Sequence, residues 1–274
     1  MRNLTINTHH FEQYLAPVIA ACQAAGKKIM SVYESADFGI EYKDDDSPLT
    51  RADQYSHNIL LAELIKLDAG PVLSEEDANI AWQERKTWRQ YWLVDPLDGT
   101  KEFIKRNGEF TVNVALITER APVLGVVYAP AKDLLYYGTQ GTGSFKSEAG
   151  QDPVAIRPAP VPTLKSGWRI VGSRSHQSED FKNFMRVFDQ PNIVPMGSSL
   201  KLCLVADGSA DLYPRLGPTS EWDTAAAQAV VEAAGGKVIN WETKEILRYN
   251  EKESILNPYF IVCAETAELW MGDR

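Results

Sequence analysis

Acidic residues stand at the ends of apolar segments, and their type and spacing suit the binding of a metal ion. Glu75 follows one predicted strand, Asp95 and Asp98 end a second, and Asp223 opens a predicted helix. Magnesium prefers hard oxygen ligands such as carboxylates, carbonyl groups and water. Because a strand end is rigid, carboxylates there are held at a fixed separation. The joint occurrence of these acids therefore predicts a magnesium site.

The segment Asp-Pro-Leu-Asp-Gly-Thr at 95–100 is the centre of this prediction. Its proline stiffens a loop between the two aspartates, so that both carboxylates turn towards one point, with the Leu97 carbonyl between them. Gly99 and Thr100 then begin a short helix, whose free backbone N–H groups suit a phosphate oxygen. The segment thus offers adjacent sites for a cation and an anion.

Each acidic segment also has an ordinary structural interpretation. Asp-Pro-x-Asp-Gly is good turn chemistry, and either aspartate suits the cap of a helix. Asp223 alone is typical of an N-cap, and the acidic run at 75–77 alone is typical of a solvated loop. Asp53 falls in the first turn of a helix, where the macrodipole favours an acid. Taken singly these alternatives stay open, and only the combination favours a metal site.

Composition and net charge limit the kinds of ligand that the chain is expected to bind. The chain has 274 residues, 44% of them hydrophobic and 24% charged, with a net charge of −9. This balance is typical of a globular protein and disfavours a nucleic-acid binder, which needs a basic surface. A small anionic substrate remains compatible if cations gather in the site. Cys22, Cys203 and Cys263 each lie in an apolar pattern and are expected to be buried free thiols.

The elements that must position the acids begin with an amphipathic helix. Apolar residues recur from Phe11 to Val32 at spacings of three and four, and Lys27 and Lys28 follow the apolar stretch 14–25 without a stop. This pattern indicates a cytoplasmic helix and not an export signal, and no apolar run is long enough to span a bilayer. Peripheral association with the inner membrane stays open, although no basic amphipathic helix in the sequence argues for it.

Further elements follow in both halves of the chain. A helix is predicted over 52–67, and strands at 92–94, 110–116, 124–128 and 134–137 indicate an antiparallel meander. Strands and helices then alternate, with helices near 180–188, 200–206 and 224–234 and strands at 168–172, 211–213, 237–240 and 259–264. Four prolines within 150–165 place a domain junction there, which gives domains of 1–150 and 151–274. The class is α+β in layers.

Three motifs identify the chain as similar to the inositol monophosphatase superfamily. They are Leu-Ser-Glu-Glu-Asp at 73–77, Trp-Leu-Val-Asp-Pro-Leu-Asp-Gly-Thr-Lys-Glu-Phe at 92–103 and Trp-Asp-Thr-Ala-Ala at 222–226. Ser74 replaces the glycine that is more common before the paired glutamates. The longer runs 98–113, 197–208, 212–215 and 217–219 resemble the nucleotidase branch of that superfamily. The resemblance extends from about 43 to 234 and implies a layered αβαβα sandwich of the inositol monophosphatase and fructose-1,6-bisphosphatase type.

The resemblance implies two or three Mg²⁺ ions and a set of catalytic residues. The implied metal ligands are Glu75, Asp95, the Leu97 carbonyl, Asp98 and Asp223. Asp53 matches the family aspartate that pairs with Thr100. Thr100, oriented by Asp53, is expected to help remove a proton from the attacking water, and Glu75 to position that water. No covalent phosphoenzyme is needed, and inhibition by lithium is expected.

The substrate site implied by the resemblance lies mainly in the second half. Its predicted residues are Asp98, Gly99, Thr100, His176, Ser198, Lys201, Arg215 and Asp223. Lys201 and Arg215 suit a second phosphate, and His176 suits the base or sugar. Individually these residues also fit a loop histidine, a helix-capping serine and solvated basic side chains. His9, His10 and His57 are expected at the surface.

The expected activity is hydrolysis of the 3′-phosphate of adenosine 3′,5′-bisphosphate to AMP and phosphate. The 3′-phosphosulfate analogue (PAPS, converted to APS) is a second expected substrate, which places the chain in sulfate assimilation. A phosphatase of inositol or sugar phosphates is the nearest alternative, and a non-catalytic nucleotide-binding relative is a more distant one. We expect a monomer with no stable protein partner.

Overall fold

The computed structural model describes residues 10–35, 39, 41–42, 48–172 and 178–271 of the 274-residue chain. His9 and His176, singled out in the sequence, lie outside the described residues. Eight α-helices lie in the described part: α1 Leu15–Tyr33, α2 Arg51–Lys66, α3 Trp82–Arg85, α4 Thr100–Ile104, α5 Glu179–Met185, α6 Leu200–Ala206, α7 Ala225–Ala233 and α8 Glu268–Met271.

Fourteen strands lie between these helices within the same ranges. They are β1 Glu41–Tyr42, β2 Pro48–Leu49, β3 Val72–Ser74, β4 Gln90–Asp98, β5 Thr111–Thr118, β6 Ala121–Ala129, β7 Leu134–Thr139, β8 Gly143–Glu148, β9 Val154–Ile156, β10 Arg169–Gly172, β11 Asn192–Pro195, β12 Leu212–Arg215, β13 Lys237–Asn240 and β14 Phe260–Cys263. Short 3₁₀ helices include Glu221–Asp223.

The larger sheet has seven strands in the order β3-β4-β5-β6-β7-β8-β9. β3 pairs parallel with β4, and every later pair is antiparallel. The predicted meander is therefore confirmed, and it continues through β8 and β9, which the sequence pattern did not reveal. Because β9 lies inside the 150–165 segment, this sheet extends into the predicted domain junction, and the domain boundary stays a prediction.

The smaller sheet has five strands in the order β11-β10-β12-β14-β13. β10 pairs parallel with both β11 and β12, whereas β14 runs antiparallel to β12 and β13. The edge strand β11 was not predicted. Its pairing with β10 is long-range, and the strand is only four residues long and ends at Pro195. Its own sequence therefore gives little indication that it forms a strand.

Five layers result from the packing of helices on these sheets. Helices α1 and α2 cover one face of the larger sheet, and their core includes Val18, Cys22, Leu60 and Trp92. Helices α6 and α7 lie between the sheets, and α5 and α8 cover the outer face of the smaller sheet. This confirms the predicted αβαβα sandwich of α+β class.

Close packing in the central layer depends on a missing side chain. A Cβ at Gly125 of β6 would collide with the Ala226 carbonyl and the Ala229 side chain of α7. Only glycine therefore lets α7 rest on the sheet at this depth. Since α7 begins two residues after Asp223, the same contact helps to set where that carboxylate lies relative to the larger sheet.

Other sequence predictions are settled by burial. The apolar stripe of α1 is confirmed, since Val18, Cys22, Ala25, Ile29 and Val32 are all buried. All three cysteines are free and buried, as predicted. Across the described residues, no helix combines the length and the apolar character needed to cross a membrane.

Candidate active site

The two central aspartates lie on one strand, where a bulge decides their direction. β4 continues through Pro96 to Asp98, so the prediction of a loop between Asp95 and Asp98 was wrong. Asp95 pairs with Asn113 and Asp98 with Thr111, which sets three steps on β4 against two on β5. In a regular strand, residues three apart point to opposite faces. The extra residue of the bulge therefore brings both carboxylates to the same side.

Hydrogen bonds hold the backbone of this bulge. The Leu97 N–H donates to Asp95 Oδ1 at 3.0 Å, and the Ser56 hydroxyl of α2 donates to the Pro96 carbonyl at 2.7 Å. The first bond is the local turn chemistry that the motif suggested. Gly99 follows with a φ of +91°, and α4 begins at Thr100 as predicted.

Asp223 joins the two aspartates of β4 from the other half of the chain. Carboxylate oxygens of Asp95, Asp98 and Asp223 all lie within 4.8 Å of one another. Asp223 Oδ2 also accepts from the Ser220 N–H at 2.9 Å, which closes a capping box around the 3₁₀ helix. The helix-cap and cluster interpretations of Asp223 are thus compatible, because one carboxylate takes part in both.

Glu75 adds a fourth carboxylate beside this cluster. Its N–H donates to the Val94 carbonyl at 3.1 Å, so the residue continues the parallel pairing of β3 with β4. Glu75 is half-buried, and after burial its charge is the largest cause that raises the pKa of Asp95. The acidic segment is therefore more than a solvated loop.

The electrostatics of the cluster favour a bound cation. Burial, followed by the charges of Glu75, Asp98 and Asp223, raises the pKa of Asp95 well above its usual range. Burial and the charge of Asp98 raise the pKa of Asp223 to about 8, against the Ser220 N–H, which lowers it. Like charges that are buried together repel unless a positive charge joins them. An all-oxygen donor set of this kind fits a hard divalent cation such as Mg²⁺.

Asp53 and Thr100 form a hydrogen-bonded pair next to the cluster. The N–H and hydroxyl of Thr50 donate to Asp53 Oδ2 at 2.7 and 2.6 Å, and the Thr100 hydroxyl lies 3.2 Å from Asp53 Oδ1. The Thr100 hydroxyl is also 3.3 Å from the Leu97 carbonyl. Burial raises the pKa of Asp53 to about 6, even though both bonds from Thr50 lower it. The pairing expected from the motifs is therefore present.

A pocket of about 310 Å³ adjoins the cluster at Asp98. Of the predicted substrate residues, it is lined by Asp98, Gly99, Ser198, Lys201 and Arg215. Thr100 and Asp223 lie outside its lining.

The pocket also has walls that sequence reasoning missed, formed by Phe181, Met196 and Tyr213. No motif marks these three side chains, so the sequence does not distinguish them from ordinary core residues. The Lys201 ammonium lies 5.9 Å from the centre of the Tyr213 ring. Cationic and aromatic side chains thus share one wall of the pocket.

Two polar residues beside the site were misjudged or overlooked. His57 was expected at the surface, but it is buried on α2, where its Nδ1 lies 2.9 Å from the Ser74 hydroxyl. The helical stripe of α2 gave no sign of this, because the partner is on another element. Ser199 was also overlooked, although its hydroxyl and N–H both contact Asp98 Oδ2.

Comparison with known proteins gives consistent results. The model of the inositol monophosphatase family matches residues 10–270. The chain is 49% identical over 252 residues to the 3′(2′),5′-bisphosphate nucleotidase CysQ of Salmonella typhimurium, covering 90% of this chain and 98% of that protein. It is 46% identical over 251 residues to the CysQ of Escherichia coli strain K12, with the same coverage.

Solved structures show the same fold. The crystal structure of CysQ from Bacteroides thetaiotaomicron, a bacterial member of the inositol monophosphatase family, superposes with a TM-score of 0.83 at 41% identity, covering 94% of this chain and 99% of that one. An inositol monophosphatase from Anabaena superposes with a TM-score of 0.72 at 23% identity, covering 93% and 92%. At that lower identity the likeness concerns the fold alone.

Proposed function

This chain belongs to the inositol monophosphatase family, and we propose that it is a 3′(2′),5′-bisphosphate nucleotidase that hydrolyses the 3′-phosphate of adenosine 3′,5′-bisphosphate. The observation that carries this proposal is the carboxylate cluster of Asp95, Asp98 and Asp223, which opens at Asp98 into a pocket containing Lys201 and Arg215. A site for cations thus adjoins a wall that bears positive charge.

Magnesium is the proposed cofactor, in two or three ions. The residues that would hold it are Glu75, Asp95, Asp98, Asp223 and the Leu97 carbonyl. When bound, magnesium offsets the negative charge of the carboxylates and of the phosphate, and it makes water more acidic. Lithium, which is also a hard cation, is expected to inhibit by competing for the same oxygens.

The residues of the chain itself orient and deprotonate water. With Asp53 Oδ2 occupied by Thr50, its Oδ1 accepts the Thr100 hydroxyl proton, which leaves the Thr100 oxygen free to accept one from water. Glu75 is proposed to orient that water. The water oxygen bonds to phosphorus as the bond to the 3′-oxygen breaks, and a proton passes to that oxygen, giving AMP and phosphate.

Substrate choice is assigned to the pocket. Lys201 and Arg215 would bind the 5′-phosphate, and Asp98, Gly99, Thr100, Ser198 and Asp223 would contact the remaining substrate atoms. The Arg215 Nη2 donates to the Pro218 carbonyl at 2.5 Å, which fixes its guanidinium at the pocket wall. His176 belongs to the proposed site by sequence. The 3′-phosphosulfate analogue fits the same scheme as a second substrate, in sulfate assimilation.

Phosphate release from three substrates tests the proposal. Adenosine 3′,5′-bisphosphate, inositol 1-phosphate and fructose 1,6-bisphosphate are each supplied with Mg²⁺ and with EDTA. We expect fastest turnover of the nucleotide, with Mg²⁺ only. Faster turnover of the inositol or sugar ester would contradict the substrate assignment, and no turnover of any ester would favour a non-catalytic binder.

The Arg215→Met variant tests the role of the 5′-phosphate. Loss of a charged hydrogen bond of about 1.5–3 kcal/mol should raise the KM for adenosine 3′,5′-bisphosphate by roughly 10–150-fold. The KM for adenosine 3′-monophosphate should change little, because it lacks the 5′-phosphate. Equal changes for both nucleotides would contradict the assignment.

We further propose that the protein is a cytoplasmic monomer without a stable protein partner. Buried free thiols, as found at Cys22, Cys203 and Cys263, suit a reducing compartment. Light scattering gives the molar mass in solution, and fractionation of cells gives the location. A stable dimer would contradict this part, and recovery with the membrane fraction at physiological salt would favour the peripheral association.

A further inference from the structure

Ser199 occupies the junction between the two halves of the carboxylate cluster. It stands at the N-terminus of α6 and is 2% exposed. Its N–H donates to Asp98 Oδ2 at 2.5 Å, and its hydroxyl oxygen lies 2.7 Å from the same atom. The hydroxyl is also 2.7 Å from the Asp223 backbone carbonyl. One side chain therefore touches two of the three clustered residues.

Asn113 fixes the direction of this hydroxyl. Its Nδ2 donates to the Ser199 oxygen at 2.8 Å from β5, the strand on which it pairs with Asp95. A hydroxyl has one proton to donate and two lone pairs. Since Asn113 donates a hydrogen bond to the Ser199 oxygen, the Ser199 hydroxyl must direct its own hydrogen to Asp98 or to the Asp223 carbonyl. The acceptors available to the Ser199 hydroxyl therefore both belong to residues of the carboxylate cluster.

The backbone that carries Ser199 has little freedom to move. A Cβ at the neighbouring Gly197 would lie 2.9 Å from the Glu109 Cβ and 3.0 Å from the Glu109 carbonyl oxygen. Gly197 thus lets this loop press on the segment after α4. Ser198 has a φ of +48°, an uncommon conformation that packing must hold. The Ser199 donors are therefore presented from a fixed position.

The donors of Ser199 also distinguish the two oxygens of Asp98. Oδ2 receives the Ser199 bonds and lies 3.5 Å from the Thr111 hydroxyl. Oδ1 accepts no hydrogen bond from the part of the chain that the structure describes. A carboxylate whose one oxygen is tied to the protein presents the other in a defined direction, as groups that support metal ligands do.

We propose that Ser199 is a positioning residue for the cation site, which holds the Asp98 carboxylate at a set distance from Asp223, with Asn113 orienting its hydroxyl. The inference rests on the proposed function only in taking the cluster as a magnesium site. Ser199 lies outside the lining of the pocket. It links β4 to the 3₁₀ helix of Asp223, and thereby joins ligands that come from different halves of the chain.

Magnesium affinity of the Ser199→Ala variant tests this proposal. The change removes one atom and keeps the N–H that holds Asp98, so the variant should fold. Isothermal titration with MgCl₂, without substrate, should show roughly 10–100-fold weaker binding, the usual cost of losing a group that supports a metal ligand. Binding within twofold of wild type would overturn the proposal.

Ser144→Ala is the matched control for loss of a buried hydroxyl. Ser144 is also 2% exposed, and its hydroxyl donates to the Val230 carbonyl at 2.6 Å, away from the cluster. Both variants should lower the melting temperature in EDTA, but only Ser199→Ala should weaken Mg²⁺ binding. An equal loss of affinity in Ser144→Ala would show a general structural effect and overturn the proposal.

Asn113→Ala supplies a graded test. It leaves both contacts of Ser199 with Asp98 in place, so its loss of Mg²⁺ affinity should be smaller than that of Ser199→Ala. A larger loss would assign the role to Asn113 and overturn the proposal. Because metal binding is measured without substrate, these outcomes stand apart from the proposed function, whose failure is a wild-type chain that binds Mg²⁺ but does not hydrolyse the nucleotide.

Discussion

Glu221 is a buried acid and Asp223 a half-buried one on the same 3₁₀ helix, and their side chains contact different kinds of neighbour. Both Glu221 oxygens accept from the Asn250 N–H, at 3.0 and 3.1 Å. The side chain of Asn250 in turn accepts from Arg85 Nη1 at 2.8 Å and donates to the Arg85 carbonyl at 2.5 Å. Asp223 instead lies among the carboxylates of Asp95 and Asp98.

Burial raises the pKa of both acids, and a neighbouring carboxylate raises that of Asp223 further. Around Glu221, whose pKa is about 7, the Asn250 N–H and the Arg85 charge favour the carboxylate form. Around Asp95 the neighbouring charges all disfavour it. Burial by itself therefore does not mark a functional acid. The informative feature is a buried acid whose neighbours repel it, because such a group needs a cation that the chain does not supply.

Asp95→Asn should give the largest effect on the cluster side of this comparison. Loss of this proposed metal ligand should lower kcat/KM by more than about 100-fold, since even supporting groups cost 10–100-fold. In EDTA the variant should melt higher than wild type, because a repelled charge is removed, with about 2–4 °C for each kcal/mol of relief. Wild-type rates, or a lower melting temperature in EDTA, would break the comparison.

Arg85→Met should have the opposite signature. It leaves the side-chain oxygen of Asn250 and the Glu253 carbonyl without their buried donor, so the free energy of unfolding should fall by about 1–3 kcal/mol, in EDTA and in Mg²⁺ alike. Denaturant unfolding measures the loss, and isothermal titration should show unchanged Mg²⁺ affinity. A variant that loses Mg²⁺ binding but keeps its stability would show that this network serves the cation site.

Arg89→Ala provides the smallest expected effect and a reference for exposed charge. Arg89 pairs with Glu119 where both side chains are at least half exposed. Removing the pair should change the free energy of unfolding by no more than about 0.5 kcal/mol, because solvent screens it. Denaturant unfolding at low and high salt checks this value. A loss as large as that of Arg85→Met would remove the distinction between buried and exposed partners.

Local patterns predicted much of the fold. The stripe of α1, the helix over 52–67 observed as α2, and the meander from β5 to β7 were confirmed, because each is written in the spacing of neighbouring residues. α6 occupies the predicted residues 200–206. The short strands β8, β9 and β11 were missed. Their pairing depends on partners elsewhere in the chain, so their sequences carry little signal of their own.

The candidate site divides in the same way. Sequence motifs selected the acids and the Asp53–Thr100 pair, since their residue types and order are visible in one dimension. The Ser199 contact with Asp98 joins residues 101 apart, and the His57 side chain of α2 contacts the Ser74 hydroxyl of β3. Neither contact leaves a periodic trace in the sequence.

By itself the sequence determined which clustered carboxylates this chain carries and which helices and strands bear them, because motif chemistry and hydrophobic spacing are local. Only the tertiary structure decided that these ligands meet. The bulge of β4 turns the side chains of Asp95 and Asp98 to one side of the strand. The close packing of α7 on Gly125 places Asp223, from the other half of the chain, beside them. Both are decided by packing between elements, since hydrogen-bond register and steric contact exist only once distant segments are in place.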